Sequence, residues 1–393
     1  MCGLPCDDAV HRWGACLPRL SAHLLPHVFG QRVLLPFAGV PGCCQLPEHE
    51  ALALRAAQSA MTLLQNIDGA LPLTGAELAG ELFLGGPLGN TTGALNGGYA
   101  GTPAHTVTLL EGLAAELKQA GGSVAFQAGC TNGVQCTDTS QFAAAVAAAT
   151  GKVAILAMGI DDSVESEGRD RTSIGLPGYQ EDLIVSVAAV AKKTVLVLVN
   201  GGGIRLSAAV TRNVHAILEA FQPAQSGGTA VAATLSGASA PAGRMPYTVP
   251  MVDADLPPIT NYDMNATING TWLGRSYRYA QPAPQYPFGY GLSYTSWSYS
   301  DLVLSSAAIG PCDNITVRFT VHNTGEVPSD EVAQVYLGWP AGAGDTNWPE
   351  LRGFERIKAV PASGSAQVQA RRMGAGANLG QIMPMIYIRS ICR

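Results

Sequence analysis

Two apolar runs, residues 153–160 and 194–199, limit the folds open to this chain. Both fall short of the roughly 18–20 apolar residues needed to cross a bilayer, and both have the length of strands buried on two faces. Strand and helix patterns alternate around them. Residues 81–85, 124–127 and 214–219 read as further strands. Residues 106–119, 139–149, 178–191 and 226–235 read as helices, the last opening on Ser226-Gly-Gly. A stronger helical pattern covers residues 48–64, with Leu52, Ala56, Ala60, Leu63 and Leu64 on one face and Pro47 just ahead. This strand–helix order predicts an α/β sandwich, a mostly parallel sheet with helices on both faces.

The character changes after Arg244. Residues 250–296 are rich in Pro, Tyr and Asn and read as an ordered connector. From Trp297 the pattern becomes short strands, at 315–322 and 331–337. There Val317, Phe319 and Val321 alternate with Arg318 and Thr320, as in a β-sandwich. Residues 370–393 lack clean alternation, which leaves the final strands unassigned, and 1–46 show no clear period. The expected division is therefore an irregular lead-in at 1–46, the α/β sandwich at 47–249, the connector at 250–296 and a β-sandwich at 297–393.

With 393 residues, 47% of them hydrophobic and only 13% charged, the chain can bury two or three sizeable cores. Its formal net charge of -6 argues against nucleic-acid and anionic-membrane partners. Residues 1–30 carry Asp7, Asp8, His11, Arg12 and Arg19 and do not read as a secretory leader. Yet Asn90, Asn265, Asn269 and Asn314 each begin an Asn-x-Thr triplet, a pattern expected of a secreted protein that has lost its front.

Nine cysteines leave at least one thiol unpaired within the chain. Cys2, Cys6, Cys16, Cys43 and Cys44 crowd the start, and Cys312 and Cys392 lie near the end. Cys130 and Cys136 flank a short polar loop and are the best disulfide pair; two reduced thiols are the alternative. No C-x-x-C or His pair stands nearby, so no metal is expected.

The loop after the first buried run, Asp161-Asp-Ser-Val-Glu-Ser-Glu-Gly-Arg-Asp-Arg171, gathers five carboxylates and two arginines in a chain poor in charge. In α/β sheets, ligands sit beyond the carboxyl ends of the strands, where this loop lies. Glycosidases need one protonated and one ionised carboxyl group. A carboxyl among like charges and partly desolvated can hold a proton near neutrality. Arg169 and Arg171 can bind hydroxyls or steady a neighbouring Asp. The same loop reads equally as a solvated acidic surface. Asn200-Gly-Gly-Gly203 lacks the spacing of a phosphate cradle and reads as a tight turn. There is no G-x-S-x-G elbow, and His49 reads as a helix cap or core residue rather than a base. The aromatics Tyr277, Tyr279, Tyr286, Phe288, Tyr290, Tyr294 and Trp297 can stack on sugars, but read better as packing for the connector.

Several segments in order resemble glycoside hydrolase family 3, on its β-xylosidase/α-L-arabinofuranosidase branch. They are His49-Glu-Ala-Leu-Ala-Leu-Arg-Ala-Ala-Gln58, Leu63-Leu-Gln-Asn66, Leu71-Pro-Leu73, Gly86-Pro-Leu-Gly-Asn90 and Gly98-Tyr-Ala-Gly-Thr-Pro103. Gly129-Cys130 with Cys136, residues 159–171 and Leu176-Pro-Gly-Tyr-Gln180 follow. The series ends with Gly243-Arg244, Arg275-Ser-Tyr-Arg278, Pro287-Phe-Gly-Tyr-Gly-Leu-Ser-Tyr-Thr295 and Gly353-Phe-Glu-Arg356. The resemblance covers roughly residues 47–360. It implies a retaining hydrolase of non-reducing-end sugars, built from a TIM-like barrel, an α/β sandwich and a fibronectin-III-like domain.

The resemblance places the nucleophile, an Asp, on the barrel, and the general acid/base on the loop matched here by residues 164–171. Glu167 is the first choice for that role and Glu165 the second. Arg169, Asp170 and Arg171 are the expected substrate-binding residues, the substrate is an oligosaccharide, and no cofactor is required. Residues 1–46 match at most the frayed end of a barrel, so no nucleophile can be assigned. A sandwich face normally covered by the barrel would then stand open to a partner. The tail beyond Val368 does not match the expected last strands. The competing reading is a non-catalytic carbohydrate-binding or partner-binding fragment, and nothing fixes xyloside against arabinoside or glucoside.

Overall fold

The computed structural model describes residues 46–280, 282–306, 314–338, 349–374 and 385–389. The lead-in at 1–45, with its five cysteines, and Cys312 and Cys392 lie outside them. Residues 53–393 form one compact unit.

Helix α1 (Pro47–Ala60) is shorter than expected and is followed by strand β1 (Thr62–Asn66). The sequence pattern ran on because Leu63 and Leu64 are both buried, but they point to opposite faces of a sheet. An apolar pair buried on two faces cannot be told from the end of an apolar helix stripe by spacing alone. The expected face of α1 fails too. Its buried residue is Ala57, while Leu52 is 54% exposed and His49 is exposed and outside any core.

Strands β2 (Glu81–Gly85), β3 (Ser123–Gln127), β4 (Val153–Gly159), β5 (Lys193–Val199) and β6 (Ala216–Phe221) complete a six-stranded sheet in the order β1-β6-β5-β4-β2-β3. Five strands are parallel, and the edge strand β1 runs antiparallel to β6. Helices α2 (Leu109–Gln119), α3 (Phe142–Ala149), α4 (Gln180–Ala188), α5 (Ala208–Asn213) and α6 (Gly227–Ser236) connect them. Alternation along each strand divides the core in two. Val153, Ile155 and Ala157 of β4 meet α2 and α6 through Leu113, Leu117, Val231 and Leu235. Ala154, Leu156 and Met158 face the other way, onto Leu183, Ile184 and Val187 of α4 and Ala145 of α3.

Helix α2 starts three residues later than the pattern suggests because Thr108 caps it. The Thr108 hydroxyl accepts from Glu111 N at 3.2 Å, and Glu111 Oε2 accepts from Thr108 N at 2.8 Å.

The connector carries the two-residue hairpin β7 (Thr267–Ile268) and β8 (Thr271–Trp272). Its aromatics fasten it to its surroundings. The Tyr290 hydroxyl donates to Leu64 O at 3.1 Å and the Tyr294 hydroxyl to Thr234 O at 2.7 Å, while Tyr277 stacks on Phe288 at 4.4 Å.

Beyond it lie β9 (Trp297–Leu304), β10 (Asn314–Asn323), β11 (Ser329–Gly338), β12 (Glu350–Val360), β13 (Ser365–Gly374) and β14 (Met385–Arg389). They form two three-stranded sheets, β13-β10-β9 and β12-β11-β14. Val317, Phe319 and Val321 from one and Ala333, Val335 and Val360 from the other share a core. Strand β14 pairs antiparallel with β11, so the unassigned tail does supply a strand. The buried ion pair Arg244–Glu331, at 2.5 Å, ties this region to the end of the α/β segment.

Candidate active site

The loops at the carboxyl ends of the parallel strands frame a cleft of about 480 Å³. Its walls include Tyr99 from the β2–α2 connection, Asp161, Asp162, Glu165 and Glu167 from the loop after β4, Gly201 after β5 and Gln222 after β6. A second hollow of about 430 Å³ shares Asp161 and Asp162 with the first.

The acidic loop leaves β4 at Gly159, whose φ of +148° and close approach to Val199 O exclude a side chain. Buried Gln180 holds this exit. Its Oε1 accepts from Gly159 N at 2.9 Å, and its Nε2 donates to Gly159 O at 2.8 Å and Val134 O at 2.7 Å. Val134 lies in the turn closed by the Cys130–Cys136 disulfide. The loop is therefore backed by a cross-linked turn through one amide. Asp161 organises its start, accepting from Ser163 N at 2.9 Å and Ser163 Oγ at 2.6 Å.

Ser166 and Arg169 then exchange backbone hydrogen bonds at 3.1 and 2.9 Å, closing a tight turn with Glu167 and Gly168 at its tip. Gly168 supplies the left-handed residue such a turn needs, at φ +75°. Glu167 is exposed, and its Oε2 accepts from the Tyr99 hydroxyl at 2.9 Å. That bond, with the nearby Asp162 charge, raises the phenol above its ordinary pKa.

Glu165 is held differently. Its Oε2 lies 3.0 Å from Arg171 Nε, and the largely buried Arg171 also donates from Nη2 to Gly203 O at 2.9 Å. The expected turn at 200–203 thus serves as an anchor for Arg171. The Arg171 Nη1 atom is buried with no partner among the described residues. Arg169 is taken up by Ser163 O at 2.7 Å, and neither it nor the exposed Asp170 lines the cleft.

Four residues at this site escaped the sequence reading as functional groups: Tyr99, Asn200, Glu219 and Gln222. Glu219 interrupts the otherwise apolar strand β6, and a lone carboxyl in such a strand was a readable signal. It is 1% exposed, accepts from Asn200 Nδ2 at 3.0 and 3.1 Å and from Phe221 N at 2.8 Å, and burial pushes it up to about 7. Asn90, Asn265 and Asn269 are exposed, and the Asn314 side chain lies outside the described residues. Among the described residues no group of three or more His, Cys, Asp or Glu is placed to hold a metal.

Residues 61–294 match the description "Glycosyl hydrolase family 3 C-terminal domain", and the chain belongs to that family. It is 38% identical over 328 residues to an exo-1,4-beta-xylosidase of Emericella nidulans, covering 80% of this chain and 41% of that protein. It is 38% identical over 258 residues to Beta-D-xylosidase 1 of Arabidopsis thaliana, covering 65% of this chain and 32% of that protein. A solved family 3 exo-beta-xylosidase in complex with a xylobiose aziridine probe superposes with a TM-score of 0.71 at 28% identity. That match covers 82% of this chain and 43% of the other. The chain thus spans about two fifths or less of the length of these relatives.

Proposed function

We propose that the chain supplies the acid/base half of an exo-β-xylosidase-type active site that removes sugars from the non-reducing ends of xylan-derived oligosaccharides with retention. The observation that carries this is Glu167, a carboxyl group at the tip of a hydrogen-bonded turn, opening on a cleft at the carboxyl ends of the sheet. Glu167 donates its proton to the leaving glycosidic oxygen and then deprotonates the attacking water. Glu165, already paired with Arg171, keeps the loop in shape. Arg169 and Asp170 stand exposed on the same loop, where a substrate entering from outside meets them. The nucleophile belongs on a barrel domain of the whole protein. Covering the cleft with that domain would exclude bulk water from Glu167 and the reacting sugar.

Under this reading residues 47–249 are the α/β sandwich, 250–296 the connector and 297–393 a fibronectin-III-like domain. The disulfide and the exposed sequons fit a secreted glycoprotein.

The test joins this chain to the remainder of the Arabidopsis relative and compares xylobiose with an aryl β-xyloside. Glu167→Gln should cut xylobiose turnover by about 10²–10⁴-fold. It should spare the aryl substrate more, because a good leaving group needs less protonation. The same signature from Glu165→Gln instead would move the role to Glu165. Loss of neither would sink the acid/base assignment.

A further inference from the structure

Strand β6 does not end smoothly. Its pairing with β5 slips between Leu198 and Val199, so that Val199 faces Phe221, a bulge of the kind that re-aims the next side chain. Phe221 takes φ +55° and Ala224 φ +57°, both left-handed and neither glycine. Such conformations persist only when their surroundings enforce them, and they gather at functional sites. Here the enforcement is visible. The buried Glu219 carboxyl accepts from Phe221 N at 2.8 Å and from the Asn200 amide, and Asn200 N donates to Phe221 O at 3.1 Å. Pro223, also buried, fixes the far side of the turn.

The residue displayed by this bracket is Gln222. It sits between two glycines. A Cβ at Gly97 would run into its carboxamide, and one at Gly201 would come within 3.3 Å of Nε2. The half-buried side chain lines the cleft, and its amide has no hydrogen-bond partner among the described residues. The carboxylates on the cleft wall, when ionised, can only accept hydrogen bonds. The amide brings two N–H donors and one acceptor, the complement of a neutral hydroxyl.

We propose that Gln222 is a ligand-binding residue of the cleft, whose carboxamide the strained turn holds ready to hydrogen-bond a sugar hydroxyl beside Glu167. The proposal rests on the reading of the cleft as a glycosidase half-site. It adds a specificity-determining contact from a different strand end.

The probe is methyl β-D-xyloside, titrated into the purified chain uniformly labelled with ¹⁵N. The Gln222 side-chain amide pair should shift on titration. Gln222→Leu should weaken binding about five- to tenfold, the effect of one neutral hydrogen bond. Gln222→Glu keeps the shape without the donors and should weaken it as well. Unchanged melting of both variants separates lost contact from lost fold. If resonances around Glu167 move while the Gln222 amide stays still, or both variants bind like the parent, the Gln222 assignment falls and the acid/base reading stands. If no cleft resonance moves, both fall.

Discussion

The Tyr99 hydroxyl donates to Glu167 Oε2 at 2.9 Å, joining residues 68 positions apart across the mouth of the cleft. Ionising Tyr99 would give up this bond and set a further negative charge beside the Asp162 carboxylate, so the phenol is raised. Glu167→Gln should return the Tyr99 titration toward its ordinary value of about 10, read by ultraviolet difference titration. A titration unchanged by the substitution would mean the bond does not form in solution.

Glu219 makes stability depend on pH with an unusual sign. Its folded pKa, about 7, lies above the ordinary 4.5, so the folded protein keeps a proton that the unfolded chain releases. Between those values the unfolded state binds fewer protons, and stability falls as pH rises. The loss should amount to roughly 3 kcal/mol from this group, complete by about pH 8. Urea unfolding of parent and Glu219→Gln at pH 5 and pH 8 checks this. The variant should lack the decline, and parallel curves would contradict it.

Gln180 satisfies three buried backbone groups at once, on Gly159 and Val134. Gln180→Leu leaves all three unpaired and should cost about 3 kcal/mol or more. Hydrogen exchange should rise first around Gly159 and along the acidic loop. Exchange that rises uniformly would show that Gln180 supports the core without steering the loop.

Arg171 reaches both Glu165 and the carbonyl of Gly203. Arg171→Leu should destabilise by about 1–3 kcal/mol, less than a fully buried pair would, because Glu165 keeps some water. Arg171→Lys should recover little, since a single ammonium cannot reproduce the two-point hold. Thermal unfolding of the two variants decides it.

Much of the sheet was legible in the sequence. Strands β4 and β5 advertise themselves as unbroken apolar runs, and the acidic loop stands out because the chain around it is nearly uncharged. What stayed hidden depends on partners remote in sequence. Strand β1 exists because Thr62 through Asn66 pair with β6, and its own residues prefer neither state strongly. Tyr99 and Gln222 gain meaning only when three strand ends converge. The left-handed turn at Phe221 contradicts local preference and is held by Glu219 and Asn200, which no spacing rule connects. The expected helix face through Leu52 failed for the opposite reason: alanine-rich helices offer several plausible stripes, and tertiary contact chose Ala57.

The reversed direction of β1 decides where the polypeptide enters the sheet. Thr62 lies opposite Glu219, near the end of β6, whereas Asn66 lies opposite Ala216 at its beginning. A parallel edge strand would have its first residue at the far end of the sheet. This one begins at the edge of the sheet where the parallel strands end and the cleft opens, so helix α1 hands the chain to that edge without a crossover.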